Sequence, residues 1–316
     1  MKSITYSAPG KIILSGEHSV VYGKPALVTA IDLRLTCSVW EDSPVDDKSI
    51  TGKAVNNCST VIISYLKKKK IKFKERPFGY KITSVIPSGR GLGSSAAFCV
   101  ALSATLLHFY TGMPQEKQLI NSLAYQAEKY FHGMPSGVDV SASCFGGLIF
   151  YRKEFEFLKQ ISALNFKLPK SFEDRLMLID TGKPKENTAE MVRIVGSKYN
   201  KDPERMFSAL CDIEKVTKRM VISIVKEDLK MFEEALGDNQ KLLSKIGIVS
   251  SSAKKFIDEI EKFGTGKVTG AGGLENGSGM VLFLQKDIDS KVVLRDKVKI
   301  IPFKQDLTGV RLESEN

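Results

Sequence analysis

Residues 87–97 read P-S-G-R-G-L-G-S-S-A-A, lodged between a run that alternates like a strand and a run that is apolar like a buried helix. Gly89, Gly91 and Gly93 stand at alternate positions and let the backbone come close to a bulky anion. Ser94 and Ser95 fall where the helix would begin, and a helix start offers unpaired amides and positive dipole density to phosphate. A strand, a glycine turn and a helix in this order point to a phosphate cradle, most often one for a nucleotide.

The flanking runs support that order. Phe78, Tyr80, Ile82 and Ile86 share one face of a strand over 78–86. Ala96–Tyr110 is long, unbroken and apolar, which predicts a buried helix ended by Thr111-Gly112-Met113-Pro114. Upstream, short strands are expected at 3–7 and 11–14 around an Ala8-Pro9-Gly10 turn, then strand over 26–40 and helix over 61–69. Downstream, Ile120, Leu123, Ala124, Ala127 and Phe131 form the apolar stripe of a helix over 115–131. Glu128 lies about 80° around that wheel from Ile120, at the rim of the stripe. Strand is expected at 148–151, a charged irregular crossover between domains at 152–175, and strand again at 176–180. Residues 189–194 and 204–244 have mostly helical patterns. A third glycine-rich loop, K-V-T-G-A-G-G over 267–273, precedes a strand at 280–284.

Composition excludes several classes. The 316 residues suffice for one or two domains, and 26% charged residues is ordinary for a globular chain. No apolar run approaches the roughly 20 residues that span a bilayer, and no signal peptide is expected at the N-terminus. Cys37, Cys58, Cys99, Cys144 and Cys211 are scattered, with no C-x-x-C pair, which reads as free thiols in a reducing cytoplasm. The net charge of +11 is concentrated in Lys67–Lys70, Lys72, Lys74 and Arg76. That cluster lacks interleaved aromatics and carries no nucleic-acid motif, so it reads as a solvated surface rather than a nucleic-acid or membrane face.

Phosphoryl transfer needs a phosphate cradle, hard ligands for a magnesium ion, a cation near the developing charge, and a group that orients the attacking hydroxyl. The chain has candidates for each. Ser94 or Ser95 with Glu128 offers oxygen ligands. Lys11 follows the Pro9-Gly10 turn and precedes an apolar strand. Asp139 sits in H-G-M-P-S-G-V-D among Val138, Val140, Ala142 and Cys144, where a lone carboxylate is costly unless it is paired or functional. The P-loop signature, the protein-kinase motifs and a properly spaced Rossmann fingerprint are all absent from the sequence.

Three segments together resemble the GHMP family of small-molecule kinases, in the form found in its mevalonate-phosphorylating branch. These are S-A-P-G-K-I-I-L-S-G-E-H-S-V-V-Y-G-K-P-A over 7–26, the loop at 87–97, and Glu128 with 132–139. L-M-L-I-D-T-G-K-P-K-E-N-T over 176–188 and the loop at 267–273 add to the match. The resemblance implies an α+β fold in two domains. Residues 1–165 would form an N-terminal mixed-sheet or antiparallel ATP-binding domain, and 166–316 a C-terminal ferredoxin-like domain. It implies ATP-dependent phosphorylation of the 5-hydroxyl of mevalonate, with ATP and Mg²⁺, in a homodimer. Asp139 would activate or position the hydroxyl, and Lys11 would stabilise the transition state. Pro87, Ser88, Gly89, Arg90, Gly91, Leu92, Gly93, Ser94, Ser95, Ala96 and Ala97 would hold the nucleotide. Glu128 and one of Ser94 and Ser95 would bind the metal, and Glu17, His18, Thr188, Gly270 and Ala271 would border the acceptor.

One departure from the family pattern stands out. The usual unbroken glycine run reads here G-A-G-G-L-E-N-G-S-G over 270–279. Residues 274–278 form either a longer loop that reaches the site or a surface bulge. Other GHMP kinases, acting on phosphomevalonate or a sugar, and a non-catalytic GHMP-fold binding protein are the competing readings.

Overall fold

Strand β1 (Ser3–Ser15) is continuous through the residues expected to turn. Pro9 and Gly10 lie within it rather than in a loop, opposite a bulge in the next strand, where Pro9 pairs with Arg34 and Gly10 with Ile31, leaving Asp32 and Leu33 as the extra residues. A proline removes a ladder donor, and a bulge is where a sheet tolerates that. The computed structural model describes residues 3–42, 48–132, 135–155, 158–287 and 298–315.

In chain order there follow β2 (Ala26–Glu41), α1 (Ile50–Lys68), β3 (Phe78–Ser84), α2 (Ser94–Thr111), α3 (Lys117–His132), α4 (Val138–Phe145), β4 (Leu148–Phe155) and β5 (Leu158–Leu164). Next come α5 (Lys170–Glu173), β6 (Leu176–Asp180), α6 (Thr188–Lys201), α7 (Pro203–Val225), α8 (Leu229–Lys245) and α9 (Ser251–Ile260). The chain ends through β7 (Gly264–Thr269), β8 (Met280–Gln285), β9 (Ile300–Pro302) and β10 (Arg311–Glu315).

The first sheet runs β10-β1-β2-β4-β5, with β3 paired beside the far end of β2. Every pairing in it is antiparallel, so the mixed alternative falls away. The second sheet runs β7-β8-β6-β9, also antiparallel, which is the strand order of a ferredoxin-like unit. The stretch read as an irregular crossover instead extends β4 and forms β5. Its charges suit an exposed edge strand. The final strand, β10, lies beside β1 in the first sheet.

Helix α2 is the centre of the core. Ala96 through Tyr110 are all buried, because the helix lies between the first sheet and the helices α1, α3 and α4. It is long and apolar enough to cross a membrane, and 83% of it is buried inside the protein. Each large apolar side chain buried there, such as Leu102 or Leu106, stabilises the fold by roughly 1.5–3 kcal/mol. The basic cluster is solvated as expected: Lys67 through Lys70, Lys72 and Lys74 are exposed, and Lys67 pairs with Glu75 at 2.8 Å on the surface.

Strand β1 also ties the two halves together. The Ile13 amide donates to Thr269 Oγ1 at 3.0 Å. The Ser15 hydroxyl meets Thr217 Oγ1 on α7 at 2.8 Å and accepts from Asn239 Nδ2 on α8 at 3.1 Å. All these groups are buried, so the polar contacts fix one relative placement of β1 and the second unit.

Candidate active site

A cleft of about 1010 Å³ opens between the two sheets, and the three glycine-bearing segments converge on it. Strand β1, at the register shift opposite the β2 bulge, sets the first wall. It brings the Lys11 amide onto the Leu92 carbonyl of the phosphate loop at 2.9 Å. The Pro9 carbonyl is held from the other side by the Ser143 hydroxyl of α4 at 2.6 Å. A residue set so firmly can aim a long side chain. Lys11 is only 3% exposed, and its Nζ lies 3.0 Å from Asp139 Oδ1.

Asp139 reaches this point because Gly137, at φ 92°, caps α4 and turns the chain into the helix. That places the carboxylate in the first helical turn, where the dipole favours negative charge. Its side chain remains 32% exposed, open to the cleft. Gly133 and Met134, which belong to the same sequence motif, lie outside the described residues.

The phosphate loop has the geometry its glycines required. Gly89, Gly91 and Gly93 all have positive φ, at 67°, 79° and 73°. A β-carbon on Gly91 would sit 3.0 Å from the Thr269 carbonyl, and one on Gly93 would sit 2.8 Å from Lys11 Cγ. Helix α2 begins at Ser94, and its first intrahelical bond is from the Ala97 amide to the Gly93 carbonyl. Ser94 and Ser95 line the cleft, so the positive end of the helix dipole lies at its wall. Arg90, expected to touch nucleotide, lines the cleft and also places Nε 2.8 Å from Asp180 Oδ1 at the end of β6. Ala96 and Ala97 are buried behind the loop.

Gly93→Ala tests this packing. The new side chain meets both the left-handed backbone and the buried stem of Lys11. The expected result is a loss of about 1–2 kcal/mol in stability and a fall of about tenfold or more in kcat, as Lys11 is displaced. Thermal melts and steady-state turnover measure the two, and a kcat within about twofold of the parent would contradict the packing role.

Glu128 departs from expectation. Instead of the rim it is 2% exposed, buried where α3 meets α4, and its Oε2 has no hydrogen-bond partner. Burial and the nearby Asp139 carboxylate push its pKa up to about 8, against the pull of Lys11. An orphaned carboxylate oxygen beside a second carboxylate and a helix-start hydroxyl is a donor set suited to a hard divalent cation. Ser94 and Ser95 both line the cleft, as does Glu128.

On the acceptor side, His18 adopts φ 57° and its Nε2 lies 2.9 Å from the Ala271 carbonyl, so it is fastened to the third glycine loop. Burial lowers its pKa and favours the neutral ring. Glu17 is fully buried and forms an ion pair with Lys267, whose Nζ also donates to the Ile13 carbonyl at 3.0 Å. Lys267 stands in the sequence as the first residue of the third glycine motif, and its spacing gave no sign of a partner 250 residues away. Thr188 opens α6 behind the Asn187–Glu190 capping box and borders the cleft with Gly270 and Ala271.

The departure after Gly273 resolves as a clasp on the neighbouring loop. The Leu274 amide donates to Glu186 Oε2 at 3.1 Å, Glu275 pairs with Lys185 at 2.8 Å, and Asn276 bridges Pro184. Residues 274–277 do not line the cleft, whereas 183–188 do. Ser278, the last residue of the 274–278 segment, does line the cleft, so the segment reaches the site at its end while 274–277 act through the loop they hold.

Two antiparallel sheets, a glycine loop at a buried helix start, and a lysine–aspartate pair facing that loop define a small-molecule kinase of the GHMP type. The profile of the GHMP kinases N terminal domain matches residues 57–147. The chain is 33% identical over 282 residues to the mevalonate kinase of Archaeoglobus fulgidus, covering 84% of this chain and 88% of that one. On that likeness the chain belongs to the mevalonate kinase family. The solved Methanococcus jannaschii mevalonate kinase matches with TM-score 0.74 and 24% identity over 95% of this chain and 98% of that one. The L. major mevalonate kinase solved with R-mevalonate matches with TM-score 0.69 and 22% identity over 91% and 87%. These two likenesses speak for the fold.

Proposed function

We propose that the chain transfers the γ-phosphoryl group of ATP to the 5-hydroxyl of mevalonate. The observation that carries this reading is the Lys11–Asp139 pair, held at 3.0 Å in the cleft beside the phosphate loop, against which Lys11 packs. The nucleotide phosphates lie against Gly89–Ser95 and the start of α2, and the base lies toward the apolar end formed by Leu35, Ile50, Ala54, Ile82 and Phe98. Asp139 accepts the proton of the 5-hydroxyl as its oxygen attacks the γ-phosphorus. The bond from that phosphorus to the β–γ bridging oxygen breaks, and ADP leaves with the electron pair. Lys11 offsets the charge that develops on the attacking oxygen and the transferred group. Glu128 and a hydroxyl of Ser94 or Ser95 would hold Mg²⁺, which would neutralise phosphate charge and orient the β- and γ-phosphates.

On the acceptor side, Glu17, His18 and Thr188 line the cleft, and Lys183 and Arg193 outnumber Glu186 at the rim, Lys185 being paired with Glu275. A positive rim suits a substrate with a carboxylate. The cysteines of the described residues are all free, four of them buried, which supports a reducing cytoplasmic setting.

A coupled ADP-release assay across mevalonate, phosphomevalonate, galactose and homoserine tests the reading. The expected result is a kcat/KM for mevalonate at least about 10²-fold above the others, because a pocket built around one set of hydroxyls discriminates strongly. Preference for another acceptor would reassign the substrate. Tight ATP binding without turnover of any acceptor would favour a binding protein.

A further inference from the structure

Behind the cleft wall lies a charged group that phosphoryl transfer, as set out above, does not use. Lys267 is the most deeply buried lysine among the described residues, with its side chain 0% exposed. Alternation along β7 explains where it points. Val268 packs into the apolar cluster with Ile179 and Ile257. Lys267 and Thr269 project to the opposite face, and both reach the Ile13 carbonyl, each at 3.0 Å. From there the ammonium also grips Glu17 Oε1. Lys267 itself does not line the cleft, but Glu17 and Thr269 do.

Such a pair is weak evidence of a stabilising role. Replacing a buried ion pair by well-packed apolar groups is often neutral or favourable. Glu17 is also incompletely satisfied: its Oε2 is buried and has no hydrogen-bond partner. Burial raises the Glu17 pKa and Lys267 opposes that rise; a carboxyl with one oxygen locked by an ammonium and the other unpartnered beside the cleft keeps capacity to accept from a ligand.

We propose that Lys267 is a positioning residue for the acceptor: clamped to the Ile13 carbonyl and one oxygen of Glu17, it keeps the other Glu17 oxygen available to a hydroxyl of the bound substrate. This rests on the kinase reading given above. The charged groups that act on Glu17 are Lys267 from β7 and Lys11 from β1, and the adjacent His18 is turned to Ala271. Lys11 is committed to Asp139, so Lys267 is the cation that fixes Glu17. The specificity that follows is for acceptors with a hydroxyl besides the one phosphorylated, since an acceptor without it leaves Glu17 Oε2 unpaired.

A double-mutant cycle tests it, with acceptor KM, ATP KM and kcat measured for Lys267→Met, Lys267→Arg, Glu17→Gln and the Glu17→Gln/Lys267→Met pair. Lys267→Met is expected to raise acceptor KM about tenfold or more, with ATP KM and kcat each within about threefold. Lys267→Arg, which keeps the cation, is expected to recover part of that loss. The double variant should match Glu17→Gln alone, because Lys267 acts only through Glu17. Multiplying effects, or an acceptor KM unchanged in Lys267→Met, would overturn the proposal. If Lys267→Met does not fold, the double variant has no buried charge left unpaired, and its comparison with Glu17→Gln decides: equality supports the proposal, and a further rise in acceptor KM overturns it. Absence of mevalonate turnover in the parent protein would instead refute the kinase reading itself.

Discussion

Asp139→Asn is expected to lower kcat by about 10²–10⁴-fold while leaving ATP affinity within about threefold. The substitution keeps the shape of the side chain and removes its charge and its ability to take a proton. Nucleotide binding is spared because the amides and glycines of 89–95 belong to a different segment, whose conformation is set by the Lys11 and Gly270 backbones rather than by Asp139. Part of the loss arises indirectly. The buried Lys11 ammonium loses its partner, and an unpaired buried cation is costly. Lys11→Met and the double variant separate the two contributions. If the residues act as one unit, the double variant is no slower than the worse single one. Steady-state kinetics on the three proteins, with ATP affinity from equilibrium binding, make the comparison. A kcat for Asp139→Asn within about tenfold of the parent would remove Asp139 from the proton-transfer role.

The phosphate loop and the long helix after it were legible because both are local. Alternate glycines demand positive φ, and an apolar run of that length has few outlets except a core helix. Lys11 and Asp139 were legible as an unusual lysine and an unusual carboxylate, but their 3.0 Å contact depends on a register shift and a helix cap 128 residues apart. Pro9-Gly10 was read as a turn because that dipeptide usually is one. Ala8 and Ile12 are fully buried on either side of it, and their burial keeps the strand continuous. Strand β10 gave no hydrophobic signal, since its residues R-L-E-S-E are exposed or half-exposed, and its partner β1 supplies the pairing.

The residues placed least well by sequence were those whose burial comes from a second element. Glu128 lies at the rim of its own helix, and the packing of neighbouring helices, α2 and α4 among them, against α3 closes over it. Lys267 looks like the polar start of a loop, yet it is fully buried behind the cleft wall, paired with Glu17 near the other end of the chain. Arg90, one residue of the loop at 87–97, lines the cleft and is also paired with Asp180, a contact its local sequence did not signal. In each case a charged side chain in a glycine-rich or amphipathic setting was consistent with both a solvent-facing and a buried position. Long-range packing, not local pattern, decided between them.

Glu128→Gln is expected to flatten the pH dependence of stability in the nucleotide-free protein and, at the same time, to weaken the response of turnover to magnesium. In the folded protein the Glu128 carboxyl titrates near about 8, against an ordinary 4.5, because it is buried beside Asp139. The folded state therefore holds a proton that the unfolded chain releases. Its contribution is complete below about pH 4.5 and is lost as pH rises toward about 8, so the parent protein should lose stability across that window. A carboxyl held protonated so far above its ordinary range contributes on the order of a few kcal/mol, enough to be visible in thermal melts. Glutamine has no proton to lose there, and the slope should diminish. A bound divalent cation opposes the same protonation by favouring the carboxylate, so nucleotide with Mg²⁺ should raise the melting temperature of the parent most at alkaline pH. The variant should gain less, and should need a Mg²⁺ concentration about tenfold or more higher for half-maximal turnover. An unchanged magnesium titration together with an unchanged stability slope would place Glu128 outside the metal site and would return its buried, unpartnered oxygen to a purely structural role.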